Sequence, residues 1–554
     1  MTRRHRSTRR GRRSWLVGAA LLLGCHAAAA LPGLPPAVQA ALVRARLPPE
    51  SLVAYVAELG PRSAFAARLA HRENQAVNPA SLMKLYTTGV ALELLGPAWT
   101  WNTPVLASGP VQDGVLYGDL VLQGRGDPTL SVERVWLMLR QLQQRGVREV
   151  RGDIVLDGTA FTLPPGGPAD FDGEPLKPYN VRPDALLFNF KAITLGFVPD
   201  AANGVARVSA DVSLAGVQVD ASVPLVAQDC GDWRGALALD FSDPTRLRLN
   251  GRYPTGCADK SWPIAYSDAR SYNARLLESL WLELGGRLSG RVVEGVTPAA
   301  ARLLFELSSA PLAAVIRDIN KYSNNLMAEQ LFLTLGASQT SAARAAAASA
   351  TAAMKALAAR LPDDAASADG AASTASTASA AVTAVSALGA AAPLAGSPAE
   401  PTLAVAPPYA IDSVQLSREI VASQVRLRTG CSEAHLLIDN GSGLSRRSRS
   451  TARCLGDWLQ ALWASPVMPE LLSSLPISGV DGTARRPERR WGAALGRAHL
   501  KTGSLRDVAA VAGYVLAVSG RRYAVVAIVN DADAGAARPV LDAVVQWAVQ
   551  DAAR

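Results

Sequence analysis

The sequence predicts an α+β protein in which a β-rich region interrupts a helical domain that also contains a short antiparallel sheet. Residues 81–96, SLMKLYTTGVALELLG, carry apolar side chains at three- and four-residue steps, which is typical of a helix. Residues 99–298 contain short alternating segments such as GDLVLQG and GDIVLDG between Gly, Asp and Pro, which are typical of strands. Near the end of the chain, strands at 511–518 and 523–530 are joined by SGRR into a predicted hairpin, and a helix is predicted at 537–552.

The same patterns predict the domain order. Residues 31–98 and 299–554 are expected to form one domain, with helices over most of 34–70, and residues 99–298 to form one or two β-rich modules inserted into it. Residues 337–408 are dominated by Ala, Ser and Thr. Because so few large apolar side chains cannot offset the entropy of ordering, we expect a mostly disordered insertion there.

The first 30 residues have the pattern of a cleaved secretory signal. MTRRHRSTRRGRR has seven arginines and no acid, and it precedes an apolar run too short to span a bilayer and an Ala-rich end. Two alternatives stay open: RRSWL resembles a twin-arginine export signal, and LLGC before His26 resembles a lipoprotein box that would acylate Cys25. We therefore expect an exported, periplasmic protein without a transmembrane span. Since most of the net charge of +9 lies in this segment, the charge gives no argument for nucleic acid.

Past Cys25 the chain contains four cysteines, Cys230, Cys257, Cys431 and Cys454. An even number in an exported chain favours disulfides, and three connectivities are formally possible. We favour the sequential pairing, 230 with 257 and 431 with 454, because the members of each pair are close in sequence. Four buried free thiols are the alternative.

Lysine is scarce, since only seven of the 56 basic residues are Lys. A chain that uses Arg for most positive charges is expected to keep Lys where a compact ammonium of adjustable pKa is needed. Three short motifs occur in a fixed order, and the first and third contain such a lysine: Ser81-Leu82-Met83-Lys84, Ser323-Asn324-Asn325 and Lys501-Thr502-Gly503. Together they form the set S-x-x-K, S-x-N and K-T-G of serine acyltransferases that react with β-lactams.

The spacing of Ser81 and Lys84 has a physical reason. Residues three apart share a helical face, so the amine can lie beside the hydroxyl and take its proton. Arg, which stays protonated, could not act as this base. We expect burial and a second cation, Lys501, to lower the pKa of Lys84. Ser81 is expected in the first helical turn, where unpaired N–H groups favour developing negative charge.

The other motif residues are expected to bind substrate and to assist the leaving group. K-T-G is predicted to lie on a strand whose edge pairs with an extended peptide, with Gly503 allowing close approach. The N–H groups of Ser504 and Ser81 are candidates for the oxyanion hole. Lys501 and Thr502 suit a substrate carboxylate. Further candidates are Ser323, for proton transfer to the leaving amine, and Asn325, for the substrate amide.

Other hydrolytic mechanisms find little support in the sequence. There are five histidines and no His-Glu-x-x-His, so a zinc hydrolase is not expected, and we predict neither a metal nor a cofactor. No Gly-x-Ser-x-Gly elbow for a Ser-His-Asp hydrolase occurs. GRGDPTL lacks a P-loop lysine and is better interpreted as a turn.

With these motifs, the chain resembles the class C low-molecular-mass penicillin-binding proteins, which are D-alanyl-D-alanine carboxypeptidases/endopeptidases. The resemblance also covers QGRGDPTL, GDIVLDGTAF, KYSNNLMAEQLF, IDNGSGLSR, LPISGVDGTARR and LKTGSLRDVAAVAGYV. It implies a transpeptidase-like domain with β-rich domains inserted between the first two motifs. It also implies action on peptidoglycan stem peptides, with removal of terminal D-Ala or cleavage of D-Ala–diaminopimelate cross-links, and covalent inhibition by β-lactams. Members of the family place an aspartate and an arginine near the substrate side chain, for which Asp157 and Arg446 are candidates.

Two alternatives remain from the sequence. A β-lactamase or esterase on the same fold would need fast deacylation, which sequence does not reveal. A non-catalytic cell-wall binding protein is disfavoured by the Ser81–Lys84 pair, for which a binding module has no use. The oligomeric state is not predicted.

Overall fold

The computed structural model describes residues 33–60, 67–338, 412–485 and 491–551. The predicted signal segment and nearly all of the predicted Ala-rich insertion lie outside these ranges. The helices of the described residues, numbered α1 to α10, are Pro36–Ala45, Met83–Leu95, Val132–Gln144, Tyr272–Glu283, Leu312–Tyr322, 325–338, Ser413–Thr429, Ala452–Trp463, Met468–Ser474 and Arg538–Val549.

The strands of the described residues, numbered β1 to β24 in chain order, form several sheets. They are Leu52–Glu58, Leu69–His71, Asn102–Ala107, Val111–Gln112, Val115–Leu116, Leu120–Gln123, Glu149–Val150, Ile154–Asp157, Ala192–Asp200, Val205–Ala210, Gln218–Val219, Ser222–Val226, Leu237–Asp240, Arg246–Gly251, Tyr253–Pro254, Lys260–Ala265, Arg287–Leu288, Val292–Glu294, Arg302–Ser308, Leu436–Leu437, Arg449–Ser450, Ala498–Leu505, Val508–Leu516 and Arg522–Asn530.

A five-stranded antiparallel sheet, in the order β2-β1-β24-β23-β22, forms the centre of the domain built from the two ends of the chain. Helices cover both of its faces: α2, α5, α6, α7 and α8 contribute to the apolar core on one side, and α1 and α10 to the core on the other. The hairpin of β23 and β24 and the final helix lie where the sequence predicts them.

The prediction of helix over most of 34–70 is wrong. Among the described residues of this stretch, the one α-helix is α1, Pro49–Ser51 form a single 3₁₀ turn, and β1 and β2 are strands. Side chains of β1 alternate between the two cores, with Val53 and Tyr55 on one side and Ala54 and Val56 on the other. A strand that is buried on both faces is an unbroken apolar run, so its periodicity does not distinguish it from a buried helix.

The inserted region runs from β3 to β19 and has its own apolar core. Its main sheets have the orders β18-β8-β6-β3-β19 and β15-β12-β10-β9-β16, with smaller sheets β17-β7-β5-β4 and β11-β14-β13. It is β-rich, as predicted, but it also contains the unpredicted helices α3 and α4. The helical spacing of Val135, Met138, Leu139 and Leu142, which α3 buries, was the signal for the first of them.

Disulfides join Cys230 to Cys257 in the inserted region and Cys431 to Cys454 beside α7 and α8. This is the sequential pairing that the sequence favours. None of the helices within the described ranges has the length and apolar content needed to cross a membrane.

Candidate active site

The three motifs meet in one groove of about 640 Å³ between the central domain and the inserted region. The central domain contributes Ser81, Tyr322, Ser323, Asn324, Asn325, Leu326, Thr483, Thr502 and Ser504. The inserted region contributes Pro178, Tyr179, Asn189, Phe190, Ala192, Thr194, Asp211 and Pro263. Lys84 and Lys501 are fully buried beneath this surface. The inserted region therefore forms part of the groove wall.

Ser81 lies in a short 3₁₀ turn, Ala80–Leu82, that leads into α2, one turn earlier than the helix proper. Ala80 has a left-handed backbone, with φ of 47°, which is unusual for a residue with a side chain. The Asn78 carboxamide fixes this turn, since its Oδ1 accepts from the Ala80 N–H at 2.9 Å and its Nδ2 donates to the Ser445 carbonyl at 2.8 Å. The Ser81 N–H has no acceptor among the described residues.

Glycines allow two segments to pack against this turn. A Cβ on Gly443, whose φ is +78°, would lie 1.9 Å from the Ala80 carbonyl oxygen. A Cβ on Gly503 would lie 3.0 Å from the Pro79 carbonyl oxygen. Gly503 thus makes room for the Ser81 turn itself, whereas the sequence argument assigned that room to the substrate.

The amine of Lys84 contacts three oxygens. Its Nζ lies 3.1 Å from Ser81 Oγ, 2.6 Å from Asn325 Oδ1 and 2.7 Å from the Ser442 carbonyl oxygen. No carboxylate of the described residues lies within ion-pair distance of it. Burial lowers the pKa of Lys84 to about 7, opposed by the negative charge of Glu329. The amine is therefore poised between its charged and neutral forms near neutral pH.

Lys501 is buried in the same way. Its Nζ donates to Ser323 Oγ and to the Thr502 carbonyl oxygen, each at 2.7 Å. Burial lowers its pKa well below the ordinary value, and the charge of Lys84 lowers it further. From the sequence, Lys501 was expected to lower the pKa of Lys84 as a second cation. Burial is instead the cause that lowers it, and the electrostatic effect runs from Lys84 to Lys501.

Residues Ser323 to Asn325 form the turn between α5 and α6. Ser323 is the left-handed C-cap of α5, with φ of 58°, and this conformation points its hydroxyl at Lys501. Asn324 Oδ1 accepts from the Met327 N–H at 3.0 Å and so caps the next helix. The Asn324 side chain is therefore used for capping, while the side chains of Ser323 and Asn325 contact the two buried lysines.

The strand with the K-T-G motif, β22, is the outer strand of its sheet. Segment 476–478 covers the start of its outer edge, where the Leu500 N–H donates to Pro476 and the Ala498 carbonyl accepts from Ser478. In an edge strand, the backbone N–H and C=O of every second residue point away from the neighbouring strand. Since those of Ala498 and Leu500 do so, the backbone groups of Thr502 and Ser504 also point outward, into the groove.

Several groove residues were not identified from the sequence. Thr483 Oγ1 lies 2.9 Å from Thr502 Oγ1, and the Ser442 hydroxyl donates to Glu329 Oε1 at 2.7 Å. Asp211 belongs to the inserted region. These residues lie far apart in the chain and follow no local pattern. Of the sequence observations, only the quoted segments KYSNNLMAEQLF, IDNGSGLSR and LPISGVDGTARR contain Glu329, Ser442 and Thr483, and none contains Asp211.

Two sequence candidates do not line the groove. The Asp157 carboxylate is buried at the end of β8 and accepts backbone N–H groups from Thr159 at 3.0 Å and from Thr297 at 2.9 Å, as well as both threonine hydroxyls. Its acceptor sites are thus used to hold a turn, as Asp often does.

Arg446 is exposed, and its guanidinium pairs with Asp507 at 2.9 Å and lies 4.9 Å from the centre of the Phe171 ring. It connects the loop after Gly443 to the inserted region. Within the described ranges, no group of three His, Cys, Asp or Glu side chains is arranged to hold a metal ion.

The model of the D-Ala-D-Ala carboxypeptidase 3 (S13) family matches residues 38–377 and 411–551. A D-alanyl-D-alanine carboxypeptidase of Actinomadura sp. (strain R39) is 27% identical over 483 residues, which are 83% of this chain and 74% of the relative. The D-alanyl-D-alanine carboxypeptidase DacB of Haemophilus influenzae is 22% identical over 477 residues, 82% of this chain and 81% of the relative.

The crystal structure of penicillin binding protein 4 (dacB) from Haemophilus influenzae matches with a TM-score of 0.64 at 20% identity, covering 92% of this chain and 98% of that chain. Its complex with a β-lactam matches with a TM-score of 0.59 at 20% identity, covering 89% and 92%. These likenesses confirm the predicted α+β fold, a penicillin-binding domain with inserted domains.

Proposed function

Because the chain belongs to the D-Ala-D-Ala carboxypeptidase 3 (S13) family of serine peptidases, we propose that it hydrolyses peptidoglycan stem peptides through an acyl-enzyme on Ser81. The reaction removes a terminal D-Ala or cleaves a D-Ala–diaminopimelate cross-link. The observation that carries this proposal is the contact between Lys84 Nζ and Ser81 Oγ at 3.1 Å, with a lysine whose pKa is about 7.

In the acylation step, neutral Lys84 takes the proton of the Ser81 hydroxyl while Oγ attacks the D-Ala carbonyl carbon. The N–H groups of Ser81 and Ser504 bind the oxyanion. Three features support this assignment: the Ser81 N–H has no other acceptor among the described residues, the Ser504 N–H points outward from β22, and the two segments pack closely at Gly503.

The leaving amine then receives a proton from Ser323, whose hydroxyl is recharged by Lys501 at 2.7 Å. The Asn325 side chain, held by Lys84 at 2.6 Å, is placed to bind the substrate amide. Lys84 releases to solvent the proton that it took from Ser81, and Lys501 regains the proton that it gave to Ser323. Lys84 then takes a proton from the water that attacks the acyl-enzyme and returns it to Ser81 Oγ as the acyl group leaves. Each step thus uses a lysine whose ammonium form is disfavoured by burial.

Recognition of a free C-terminus is assigned to Thr502 and Thr483. Their hydroxyls lie 2.9 Å apart in the groove, so a carboxylate can accept from both. The outward backbone of Thr502 and Ser504 pairs with the extended peptide. We assign no substrate contact to Asp157 or Arg446, since their polar atoms have other partners.

The proposal includes export to the periplasm and covalent inhibition by β-lactams. Export is supported by the pattern of residues 1–30 and by the two disulfides. Inhibition is supported by the three motifs and by the β-lactam complex of the Haemophilus influenzae protein of the same fold.

The test is the intact mass of the purified mature protein after incubation with a penicillin, together with D-Ala release from a peptide ending in D-Ala-D-Ala. We expect a lasting adduct and release of D-Ala. Ser81→Ala should abolish both, while Ser473→Ala, at an exposed serine of α9, should change neither. Unmodified protein with hydrolysed penicillin would instead indicate a β-lactamase. Unmodified protein with intact penicillin and intact peptide would support a binding protein.

A further inference from the structure

One acidic side chain beside the groove has no role in the steps above. Glu329 lies on α6, one turn after Asn325, and is half-buried. Its Oε1 accepts the Ser442 hydroxyl at 2.7 Å, while the carbonyl oxygen of the same Ser442 accepts from Lys84 Nζ at 2.7 Å. A single residue therefore separates this carboxyl from the amine.

The charged groups around Glu329 leave it without an ion-pair partner among the described residues. Lys84, Arg182 and Asp439 face it from three other segments, none within ion-pair distance. The Arg182 guanidinium donates to backbone carbonyls of its own loop, and Asp439 is paired with Arg418 at 2.8 Å. Of the two cations, Lys84 is the one that shares a hydrogen-bond neighbour, Ser442, with Glu329.

The two groups titrate in the same range. Loss of hydration raises the pKa of Glu329 to about 7, opposed by the Ser442 hydrogen bond and by Lys84. Loss of hydration lowers the pKa of Lys84 to about 7. Moving one proton from the ammonium to the carboxylate therefore costs little, because it removes two poorly hydrated charges at once.

We propose that Lys84 and Glu329 share one proton in the resting protein, so that Glu329 holds the proton that Lys84 must lack to act as a base. The exchange is balanced: the proton lost by the ammonium is gained by the carboxylate, and the net charge of the pair is unchanged. This inference rests on the proposed function for its catalytic meaning. Glu329 touches no reacting atom and is a positioning residue for the proton.

Proton sharing has a distinctive titration. As the pH rises, the pair first passes from two protons to one, and the neutral amine then forms a fixed fraction that does not depend on pH. When the pair loses its last proton, the amine becomes neutral throughout, so the fraction rises a second time. The neutral amine therefore forms in two steps. In Glu329→Gln the amide still accepts the Ser442 hydrogen bond but cannot ionise, so Lys84 titrates in one step. Its midpoint shifts to lower pH by about one unit, since a nearby negative charge is lost.

The experiment is an NMR titration of the full mature chain labelled with [13C-ε]lysine, which is practical because there are only seven lysines. The signal missing in Lys84→Met identifies Lys84. We expect two steps in the wild type and one step at lower pH in Glu329→Gln. Glu306→Gln, the same change at a partly exposed carboxylate paired with Arg125, is the matched control and should leave the curve unchanged.

A one-step wild-type curve overturns the inference, as does a Glu329→Gln curve that superimposes on the wild type. A two-step wild-type curve supports it where Glu329→Gln removes one step. Two steps in both proteins would come from coupling between Lys84 and Lys501 and would also overturn it. The readout does not depend on catalysis, so failure of the proposed function is detected separately, as absence of the penicillin adduct on Ser81. Where the adduct forms, its rate should follow the same two-step pH curve.

Discussion

Four lysines are almost completely buried in the described residues, and they fall into two pairs. Lys84 and Lys501, both 0% exposed, lie under the groove and contact only hydroxyl, amide and carbonyl oxygens. Lys321 and Lys191, 5% and 7% exposed, lie in the groove walls and pair with Asp481 and Asp184. The positive charges of the second pair are balanced by carboxylates in ion pairs, whereas Lys84 and Lys501 have no ion-pair partner among the described residues.

The difference separates structural from chemical use of the same side chain. Lys321 lies in the last turn of α5, two residues before Ser323. Its Nζ donates to Asp481 Oδ2 at 2.6 Å and to the Leu475 carbonyl oxygen at 2.7 Å. Asp481 begins the turn that contains Thr483. This ion pair thus holds two walls of the groove in register, whereas an unpaired buried lysine has a lowered pKa and can exchange a proton.

The largest expected effect is on acylation. Lys84→Met should lower the rate of penicillin adduct formation by about 10³-fold or more, because Ser81 loses its base. Lys84→Arg should be as inactive, since the guanidinium stays protonated. The rates are measured by intact mass against time at pH 8.

The matched change in the wall is Lys321→Met, for which we expect a loss of about tenfold, from misplacement rather than loss of chemistry. Equal losses at Lys84 and Lys321 would remove the distinction between the two pairs.

The second effect is on stability, and its sign should differ between the pairs. Lys321→Met leaves a carboxylate without its partner and should lower the free energy of unfolding by about 2 kcal/mol, less than for a fully buried pair because Asp481 is 36% exposed. Lys84→Met replaces a poorly hydrated amine by an apolar chain and should raise it by about 1 kcal/mol at pH 7. Urea unfolding measures both.

The double variant Lys321→Met/Asp481→Asn is the control for the stranded carboxylate. It should recover part of the stability lost in Lys321→Met. If Lys84→Met were destabilised as much as Lys321→Met, packing rather than charge would dominate at both sites.

Elements with a one-sided apolar pattern were predictable from the sequence. Helix α2 and the β23–β24 hairpin lie within a few residues of their predicted positions, and α10 begins at Arg538 as its periodicity indicates. Strand β1 was assigned wrongly because burial on both faces removes the alternation that identifies a strand. Helix α3 was missed because the strand-like segments around it dominated the interpretation of residues 99–298.

At the candidate site, the scarcity of lysine pointed to Lys84 and Lys501, which both lie buried under the groove, but not to their surroundings. It cannot separate Lys84 from Lys321, since both are buried; only the serine three residues before Lys84 does so. Glu329 and Thr483 could not be found from local patterns, because their partners Ser442 and Thr502 are remote in the chain. Asp157 was selected by resemblance, and its hydrogen bonds to Thr297 became visible only in the folded chain.

The smallest expected effect is a pH slope in stability that the uncompensated Lys84 alone should produce. The folded pKa of Lys84 is about 7, below its ordinary value of 10.5, which the unfolded chain should show. Between these values the unfolded chain binds one more proton at this site, so the free energy of unfolding should rise with pH there and show no such slope well below pH 7. The free energy of unfolding of the wild type, minus that of Lys84→Met, should therefore rise by about 1 kcal/mol per pH unit from pH 8 to 10, where Glu329 is ionised in both proteins. Urea unfolding of the two proteins at three pH values measures this slope. A constant difference between them would mean that Lys84 keeps its proton in the folded chain, and it could then not be the base for Ser81.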